Sequence, residues 1–416
     1  MDSPATDPAS SPASSLVPEK TVTAFLEDLR ALVNINSGTY TPEGVAQVAT
    51  YMRALFEATG CEVEVIPGER MGPQLIARRN GTGQGRVLII GHMDTVFPDG
   101  EADRRPFDIH DGCAYGPGVF DMKSGLLVAA YAICGLVERD EAPWESLTMI
   151  CNPDEEIGSP ESHALIEDEA RKADVALVLE PTSDLARVTV ARKGAATYAL
   201  EIHGVAAHAG VEPQRGRSAI LEMAHRIVAL HALNGTIPGV TVNVGVVQGG
   251  ERPNVVAEAA YAEIDVRAAD EEGVQAIEAA LAKVVADTNV PDTTAALEGY
   301  FAHRPFTQSP RSARLFALAA EAAAELGIPL RGEPTGGASD GNTTAGLGVP
   351  TLDGLGLVGG LYLARFVEAL LFEVRPLEFW SLVLPLGALA VTALLAAALP
   401  ALRATRVDPV IALRYE

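Results

Sequence analysis

The order of apolar and polar positions predicts an α/β domain in the first half of the chain. From about residue 22, apolar side chains recur at the spacing of one helix face. Further on, the runs 87–90, 147–151 and 175–179 are short and strongly apolar, which is typical of strands buried on both faces. Polar residues follow each run. Because ligands bind at the carboxyl ends of strands in open α/β sheets, we expect a functional site there.

A module of different pattern begins at about residue 188 and ends near residue 306. Apolar and polar residues alternate in its strands, and two amphipathic helices accompany them, which indicates an α+β unit. The helical pattern of an α/β domain resumes at 311–326, so the module is predicted to be an insertion. Its strands are expected at 198–203, 240–247 and 260–266, and its helices at 218–233 and 272–287.

The two ends of the chain differ from the domains between them. Residues 1–20 are rich in Ser, Pro and Ala and lack the features of a signal peptide, which predicts a disordered leader and a cytoplasmic catalytic part. Residues 379–402 are 24 consecutive uncharged residues, long enough for a transmembrane helix. Arg403 and Arg406 follow, which places the C-terminus in the cytoplasm. A buried core helix is the alternative.

Composition excludes some classes of function. The chain has 416 residues and 48% hydrophobic content, enough for more than one domain core. Its net charge of −24 argues against a nucleic-acid partner. The four cysteines lack CxxC spacing, so buried thiols in a reducing compartment are favoured over disulfides.

Two polar motifs near the first apolar run have both a chemical and a structural interpretation. His92 and Asp94 are two residues apart, a spacing that lets a carboxylate orient a metal-bound imidazole. Asp121 ends a Gly-rich turn before an apolar helix at 124–137, where it could bind cations or simply cap the helix. Taken singly, neither motif establishes a site.

Carboxylates also gather at the ends of the second and third apolar runs. Asp154, Glu155 and Glu156 are adjacent, and such close like charges are unfavourable unless cations or solvent screen them. Two neighbouring glutamates can divide the work of a hydrolase, one binding a metal and the other taking a proton from water. A solvated loop is the alternative. Glu180 ends the third run, and together these motifs indicate a metal-dependent hydrolase.

Over residues 20–356 the chain resembles the zinc-dependent glutamate carboxypeptidase family, whose relatives include aminoacylases and acetylornithine deacetylases. The stretches that carry the resemblance are GHMDTV (91–96), GPGVFDMK (116–123), DEE (154–156), GVAAHAG (204–210), RPNVV (252–256) and GGASDGN (336–342). It implies an α/β/α zinc-peptidase catalytic domain at 21–187 and 307–356, and an inserted α+β dimerisation domain at 188–306. A homodimer is expected. The implied substrate is a peptide or N-acyl amino acid, cleaved next to a C-terminal residue such as glutamate.

The resemblance also implies a site for two zinc ions (Zn²⁺) in each subunit. Asp121 would bridge the two ions, and His92 and Glu180 would complete the first site. Glu156 would bind the second ion. In such a site a metal polarises the scissile carbonyl and lowers the pKa of its bound water.

Catalytic and substrate-binding roles follow from the same resemblance. Glu155 would be the general base, and Asp94 is the candidate for orienting the zinc-binding imidazole. His208 would reach the active site of a partner subunit and stabilise the oxyanion. Arg252 and Asn254 would help to hold the substrate carboxylate.

The chain departs from the family after residue 356. The family supplies the last ligand of the second zinc from a histidine shortly after the segment matched by 352–356, but here no histidine follows His303. The second zinc site is therefore predicted to be incomplete. The tail 357–416 resembles the end of a macrolide-export or lipoprotein-release ABC permease. A membrane-anchored inactive relative, or a permease fragment, is the alternative to an active hydrolase.

Overall fold

Residues 19–110, 113–139, 141–182, 186–325 and 327–356 are described by a computed structural model of the protein. Most of the predicted leader lies outside these residues. So do the permease-like tail at 357–416 and its predicted membrane helix at 379–402. The cytoplasmic location stays a prediction.

The chain divides into two compact units. Unit 1 comprises the described residues of 1–190, 308–333 and 347–356, and unit 2 comprises Ala191–Thr307 and Pro334–Gly346. The helices of the described part are α1 (Glu19–Val33), α2 (Pro42–Ala58), α3 (Glu101–Arg104), α4 (Ser124–Glu138), α5 (His163–Ala170), α6 (Ala219–His231), α7 (Glu271–Ala286), α8 (Pro310–Glu325) and α9 (Asp340–Gly346). The strands are β1 (Glu62–Ile66), β2 (Gln74–Asn80), β3 (Arg86–His92), β4 (Asp108–His110), β5 (Cys113–Tyr115), β6 (Ser146–Asn152), β7 (Val175–Val178), β8 (Arg187–Arg192), β9 (Gly194–His203), β10 (Ala207–His208), β11 (Thr241–Gly249), β12 (Val255–Val256), β13 (Ala259–Ala268), β14 (Thr294–His303), β15 (Arg331–Thr335) and β16 (Thr351–Leu352).

The main sheet of unit 1 has the strand order β1-β2-β6-β3-β7-β16. Strands β6, β3, β7 and β16 are parallel, whereas β1 and β2 are antiparallel to their neighbours. The three apolar runs predicted as buried strands are the adjacent strands β6, β3 and β7, so that prediction is confirmed. His92 pairs with Asn152 in register, and the ends of these strands therefore share one edge of the sheet.

Strand β3 is buried on both faces, which explains why the run 87–90 is apolar at every position. Val87 and Ile89 belong to the cluster that contains residues of α1, α2 and α4. Leu88 and Ile90 belong to a separate cluster that contains residues of α5. Because successive side chains of a strand point to opposite faces, helices cover both faces of the sheet and every position of the run is buried. The α/β fold class predicted from the sequence is confirmed.

Helix α4 is a core helix of unit 1. Within the described residues, the helical stretch Val119–Glu138 is the one long and apolar enough to cross a membrane, and 61% of it is buried inside the protein. Leu126, Ala130 and Ile133 of this helix lie in the main apolar cluster. Its all-round apolar character is that expected of a helix packed on several sides.

Unit 2 contains an antiparallel sheet of order β11-β13-β9-β14. Alternate residues of β13 are buried, and Ile264 packs in one cluster with Met223 of α6 and Ile277 of α7. The strands and helices predicted for the inserted module are thus present. Helices α6 and α7 each begin with a side-chain cap, since Ser218 accepts a hydrogen bond from the N–H of Leu221 and Asp270 accepts one from the N–H of Gly273.

Three of the cysteines fit the interpretation as buried or half-buried thiols. Cys61, Cys134 and Cys151 form no disulfide, and burial raises the pKa of each thiol. Such thiols are poor nucleophiles at neutral pH, so they are not candidates for catalysis.

Candidate metal centre

His92, Asp121 and Glu180 converge at the carboxyl edge of the unit 1 sheet. Their nitrogen and oxygen ligand atoms all lie within 4.8 Å of one another. Nε2 of His92 is 3.0 Å from Oδ1 of Asp121 and 3.7 Å from Oε1 of Glu180. His92 and Glu180 are largely buried, but the Asp121 side chain is 48% exposed. A cation held by these donors would therefore be open to solvent on one side.

Each of these side chains is placed by the end of a core element. His92 is the last residue of β3, and Glu180 comes two residues after β7. Asp121 lies in the turn before α4, where its backbone is not helical and its peptide bond to Met122 is cis. The residue at the N-cap of α4 is Lys123, so the alternative interpretation of Asp121 as a helix cap is wrong.

Gly125 lets the segments that carry Asp121 and Glu180 approach each other. A Cβ atom at Gly125 would lie 2.7 Å from the carbonyl oxygen of Leu179, the residue before Glu180. Any larger side chain at this position would push α4 away from the end of β7. Asp121 and Gly125 lie four residues apart. The contact of Gly125 with Leu179 therefore helps to set the distance between Asp121 and Glu180.

Asp94 is a buried carboxylate that links three parts of the centre. The backbone carbonyl oxygen of Asp94 is 3.0 Å from Nδ1 of His92, and the carboxylate Oδ1 atom is 3.3 Å from the same nitrogen. Oδ1 also accepts the N–H of Glu155 at 3.2 Å, and Oδ2 accepts that of Glu156 at 3.3 Å. The hydroxyl of Thr39 donates to Oδ2 at 2.7 Å. The geometry needed to orient the imidazole through its second nitrogen is present.

The three adjacent acids after β6 have different environments. Asp154 is fully buried and accepts hydrogen bonds from the N–H groups of Glu161 and Ser162, so it holds its own loop together. Glu155 and Glu156 are partly exposed on a single helical turn. Oε1 of Glu156 accepts the N–H of Val96 at 3.1 Å. The solvated-loop interpretation is therefore wrong for Asp154.

Burial and the neighbouring carboxylates shift the pKa values of Glu156 and His92. Burial raises the pKa of Glu156 to about 7; repulsion by Asp121 adds to this and attraction by His92 opposes it. Burial lowers the pKa of His92, but hydrogen bonds with Asp121 and Asp94 outweigh it and the pKa is raised well above its usual value. Crowded carboxylates around an imidazole are stabilised by a cation, so the donor set fits a divalent metal ion.

The donors present fit one metal site fully and a second only in part. Catalytic zinc sites have three protein ligands and an open position, and histidine and carboxylate side chains are both zinc ligands. For a second ion, Glu156 and the shared Asp121 are the ligands that the resemblance implies. Gly356 donates its N–H to the carbonyl oxygen of Glu180, so the described chain ends beside the centre. The stretch 359–363, where the family places its further histidine, lies outside the described residues.

Two polar residues near the centre were not predicted from the sequence. Lys123 is buried and its Nζ atom donates to the carbonyl oxygens of Leu32 and Ile35 at the end of α1, while burial lowers its pKa to about 7. Thr39 contacts Asp94, as described above. Lys123 stood within a recognised motif, but nothing in the local pattern distinguishes Thr39 from the other polar residues of its loop.

The remaining predicted residues lie in unit 2. His208 ends β10, which pairs with β12, and the N–H of Ala209 donates to the carbonyl oxygen of Asn254. Arg252 and Asn254 are exposed in the loop before β12, so the loop holds them close to the His208 segment. Nδ1 of His208 accepts the N–H of Gly210 at 3.2 Å, which leaves Nε2 as the protonated nitrogen of the neutral ring.

Comparisons with known proteins agree with this donor chemistry. A family described as Peptidase family M20/M25/M40 matches residues 88–365. Carboxypeptidase G2 from Pseudomonas sp. (strain RS-16) is 28% identical over 375 residues, which cover 88% of this chain and 90% of that protein. The structure of aminopeptidase PepT from Bacillus cereus is 25% identical with a TM-score of 0.66, and the match covers 92% of this chain and 98% of that one. The M20 family metallo-carboxypeptidase Sso-CP2 from Sulfolobus solfataricus, at 16% identity, shares the fold with a TM-score of 0.66 over 91% of this chain and 100% of that one.

Proposed function

The chain belongs to peptidase family M20/M25/M40, and we propose that it is a zinc-dependent carboxypeptidase or deacylase that releases a C-terminal amino acid such as glutamate. It is a metal-dependent hydrolase of peptide or acyl-amino acid bonds. We propose zinc as the metal and glutamate as the preferred C-terminal residue. The three donors His92, Asp121 and Glu180, within 4.8 Å of one another and open on one side, carry this proposal.

The residues of unit 1 would divide the chemistry as follows. A zinc ion bound by these three donors would polarise the scissile carbonyl and make water a better nucleophile. Glu155 would take the proton from the attacking water and pass it to the leaving amine. Asp94 would hold the imidazole of His92 in one orientation. Glu156, together with Asp121, would provide the protein ligands of a second, weaker site.

Unit 2 would supply the contacts to the substrate carboxylate and to the oxyanion. The exposed guanidinium of Arg252 has the planar shape that pairs with a carboxylate through two hydrogen bonds. Asn254 lies on the same loop. The N–H of Gly210 fixes the tautomer of His208 in which Nε2 is a donor, as an oxyanion contact requires. We further propose that His208 acts in a homodimer, in which it serves the site of the partner.

The full-length protein, loaded with zinc, tests this function directly. We expect hydrolysis of N-acyl-glutamate at a rate above that of N-acyl-leucine and N-acyl-lysine, measured as release of the free amino acid. A protein that binds zinc but cleaves none of these substrates, nor any dipeptide, would refute the proposed chemistry. Equal rates on all three acyl amino acids would refute only the preference for glutamate.

Glu155→Gln separates metal binding from catalysis. The amide cannot accept the proton of the attacking water, so we expect kcat to fall by roughly 10²- to 10⁴-fold while zinc binding is kept. His92→Ala is the matched variant that should lose zinc as well. If Glu155→Gln keeps more than a tenth of the activity, another residue is the general base.

A further inference from the structure

We propose that Thr39 is a positioning residue of the metal centre: its hydroxyl fixes the Asp94 carboxylate, and through it the His92 imidazole and the turn that carries Glu155 and Glu156. This inference rests on the proposed metal-dependent function. Thr39 lies 55 positions before Asp94 in the chain, in the connection between α1 and α2. Its hydroxyl contacts Asp94, so we expect it to act through that side chain.

Backbone contacts hold the Thr39 loop against the segment that follows β3. Gly38 and Thr95 form an isolated β-bridge, and the N–H of Thr39 donates to the carbonyl oxygen of Thr95 at 3.2 Å. A Cβ atom at Gly38 would lie 2.2 Å from the carbonyl oxygen of Phe97, so only glycine permits this close approach. These contacts fix the position of the loop and therefore the position of the Thr39 hydroxyl.

The contact between Thr39 and Asp94 is buried and short. Thr39 is 5% exposed and Asp94 is 0% exposed. The hydroxyl donates to Oδ2 of Asp94 at 2.7 Å, whereas the other donor to this oxygen, the N–H of Glu156, is 3.3 Å away. A hydrogen bond to a carboxylate in a buried place is stronger than one between neutral groups. Thr39 is therefore the nearer of these two anchors of the Oδ2 oxygen.

Loss of this hydroxyl is expected to loosen several parts of the centre together. Oδ1 of the Asp94 carboxylate is 3.3 Å from Nδ1 of His92, and the two carboxylate oxygens accept the N–H groups of Glu155 and Glu156, so a carboxylate free to rotate would leave all three less well placed. Residues that orient metal ligands typically change metal affinity or activity by roughly 10- to 100-fold when they are removed. We expect a loss of zinc affinity of about tenfold or more for Thr39→Val.

Three variants of the full-length chain test the inference. Thr39→Val keeps the shape and removes the hydroxyl, whereas Thr39→Ser keeps the hydroxyl and removes the methyl group. The matched control is Thr59→Val: Thr59 is also 5% exposed, but its hydroxyl donates to the carbonyl oxygen of Phe56. Zinc affinity is measured by competition with a chromophoric chelator, and the d–d absorption of the Co²⁺-loaded proteins reports the ligand geometry.

The expected result is weak zinc binding and an altered Co²⁺ spectrum for Thr39→Val only, with Thr39→Ser and Thr59→Val close to wild type. Zinc affinity of Thr39→Val within twofold of wild type would overturn the inference, as would Thr39→Ser binding as weakly as Thr39→Val. If Thr39→Val does not fold, Thr39→Ala is measured against the same two outcomes. Wild-type protein that binds no zinc would overturn the proposed function and this inference together, whereas wild-type binding matched by Thr39→Val would overturn this inference alone.

Discussion

Substitution of Asp94 by Asn tests whether this buried carboxylate holds the metal centre together. Asn has the same shape, but one carboxylate oxygen becomes an NH₂ group that can only donate. Oδ1 accepts the N–H of Glu155, and Oδ2 accepts the N–H of Glu156 and the hydroxyl of Thr39. In either orientation of the amide, the NH₂ group therefore faces at least one backbone N–H group.

The magnitude follows from these contacts. The orientation of lower energy places NH₂ at the Oδ2 position, because the Thr39 hydroxyl can rotate to accept, while the N–H of Glu156 cannot. One hydrogen bond to a charged group, about 1.5–3 kcal/mol, is then lost, and the other donors keep only a neutral acceptor. A total near 3 kcal/mol corresponds to roughly a 100-fold change in an equilibrium constant. To the extent that these hydrogen bonds keep the ligands in place for the ion, this loss lowers zinc affinity, and we expect the affinity of Asp94→Asn to fall by roughly 10- to 100-fold.

The assay is competition for zinc between the full-length protein and a chromophoric chelator. The control is Asp28→Asn, which also converts a carboxylate of unit 1 to an amide. Asp28 accepts the hydroxyls of Tyr51 and Tyr131 and is not a predicted ligand or positioning residue, so its variant should bind zinc as wild type does. A folded Asp94→Asn protein with zinc affinity within threefold of wild type would refute the assignment of Asp94.

Three further predictions concern other parts of the chain. His208→Ala should lower kcat by roughly 10²- to 10³-fold without changing Tm, because the side chain is exposed; His203 is also exposed, and His203→Ala should change neither. Zinc at about 100 times its Kd should raise the free energy of unfolding by about 2.7 kcal/mol, and a chelator should remove this gain; an unchanged Tm would contradict metal binding by the folded state. Burial and the hydrogen bond with Asp28 raise the pKa of Tyr51 from 10.0 to about 12, so its stabilising effect is complete below pH 10 and is lost as the pH rises to about 12. The difference in unfolding free energy between wild type and Tyr51→Phe should therefore be constant up to pH 10 and shrink above it, and a difference that grows would show the opposite shift.

The architecture could be predicted from the sequence because its signals are local. A run such as 87–90 must be apolar at every position when helices cover both faces of a strand, and β3 is buried in this way. In unit 2, alternate residues of β13 are buried, which matches the alternation of apolar and polar residues in its sequence. Polar residues at the ends of parallel strands then had to meet at one edge, which is why His92 and Glu180 were correctly expected to lie together.

The sequence by itself predicted the α/β fold class, the elements of the inserted module and the three residues of the candidate metal cluster, because strand periodicity and short motifs are properties of neighbouring residues. Only the tertiary structure decided which partner each polar side chain contacts. Asp154 faces its own loop while Glu156 contacts Val96, a difference set by the path of one helical turn. Thr39 contacts Asp94 because the α1–α2 connection crosses the end of β3, and no local pattern records which loop will cross a strand end.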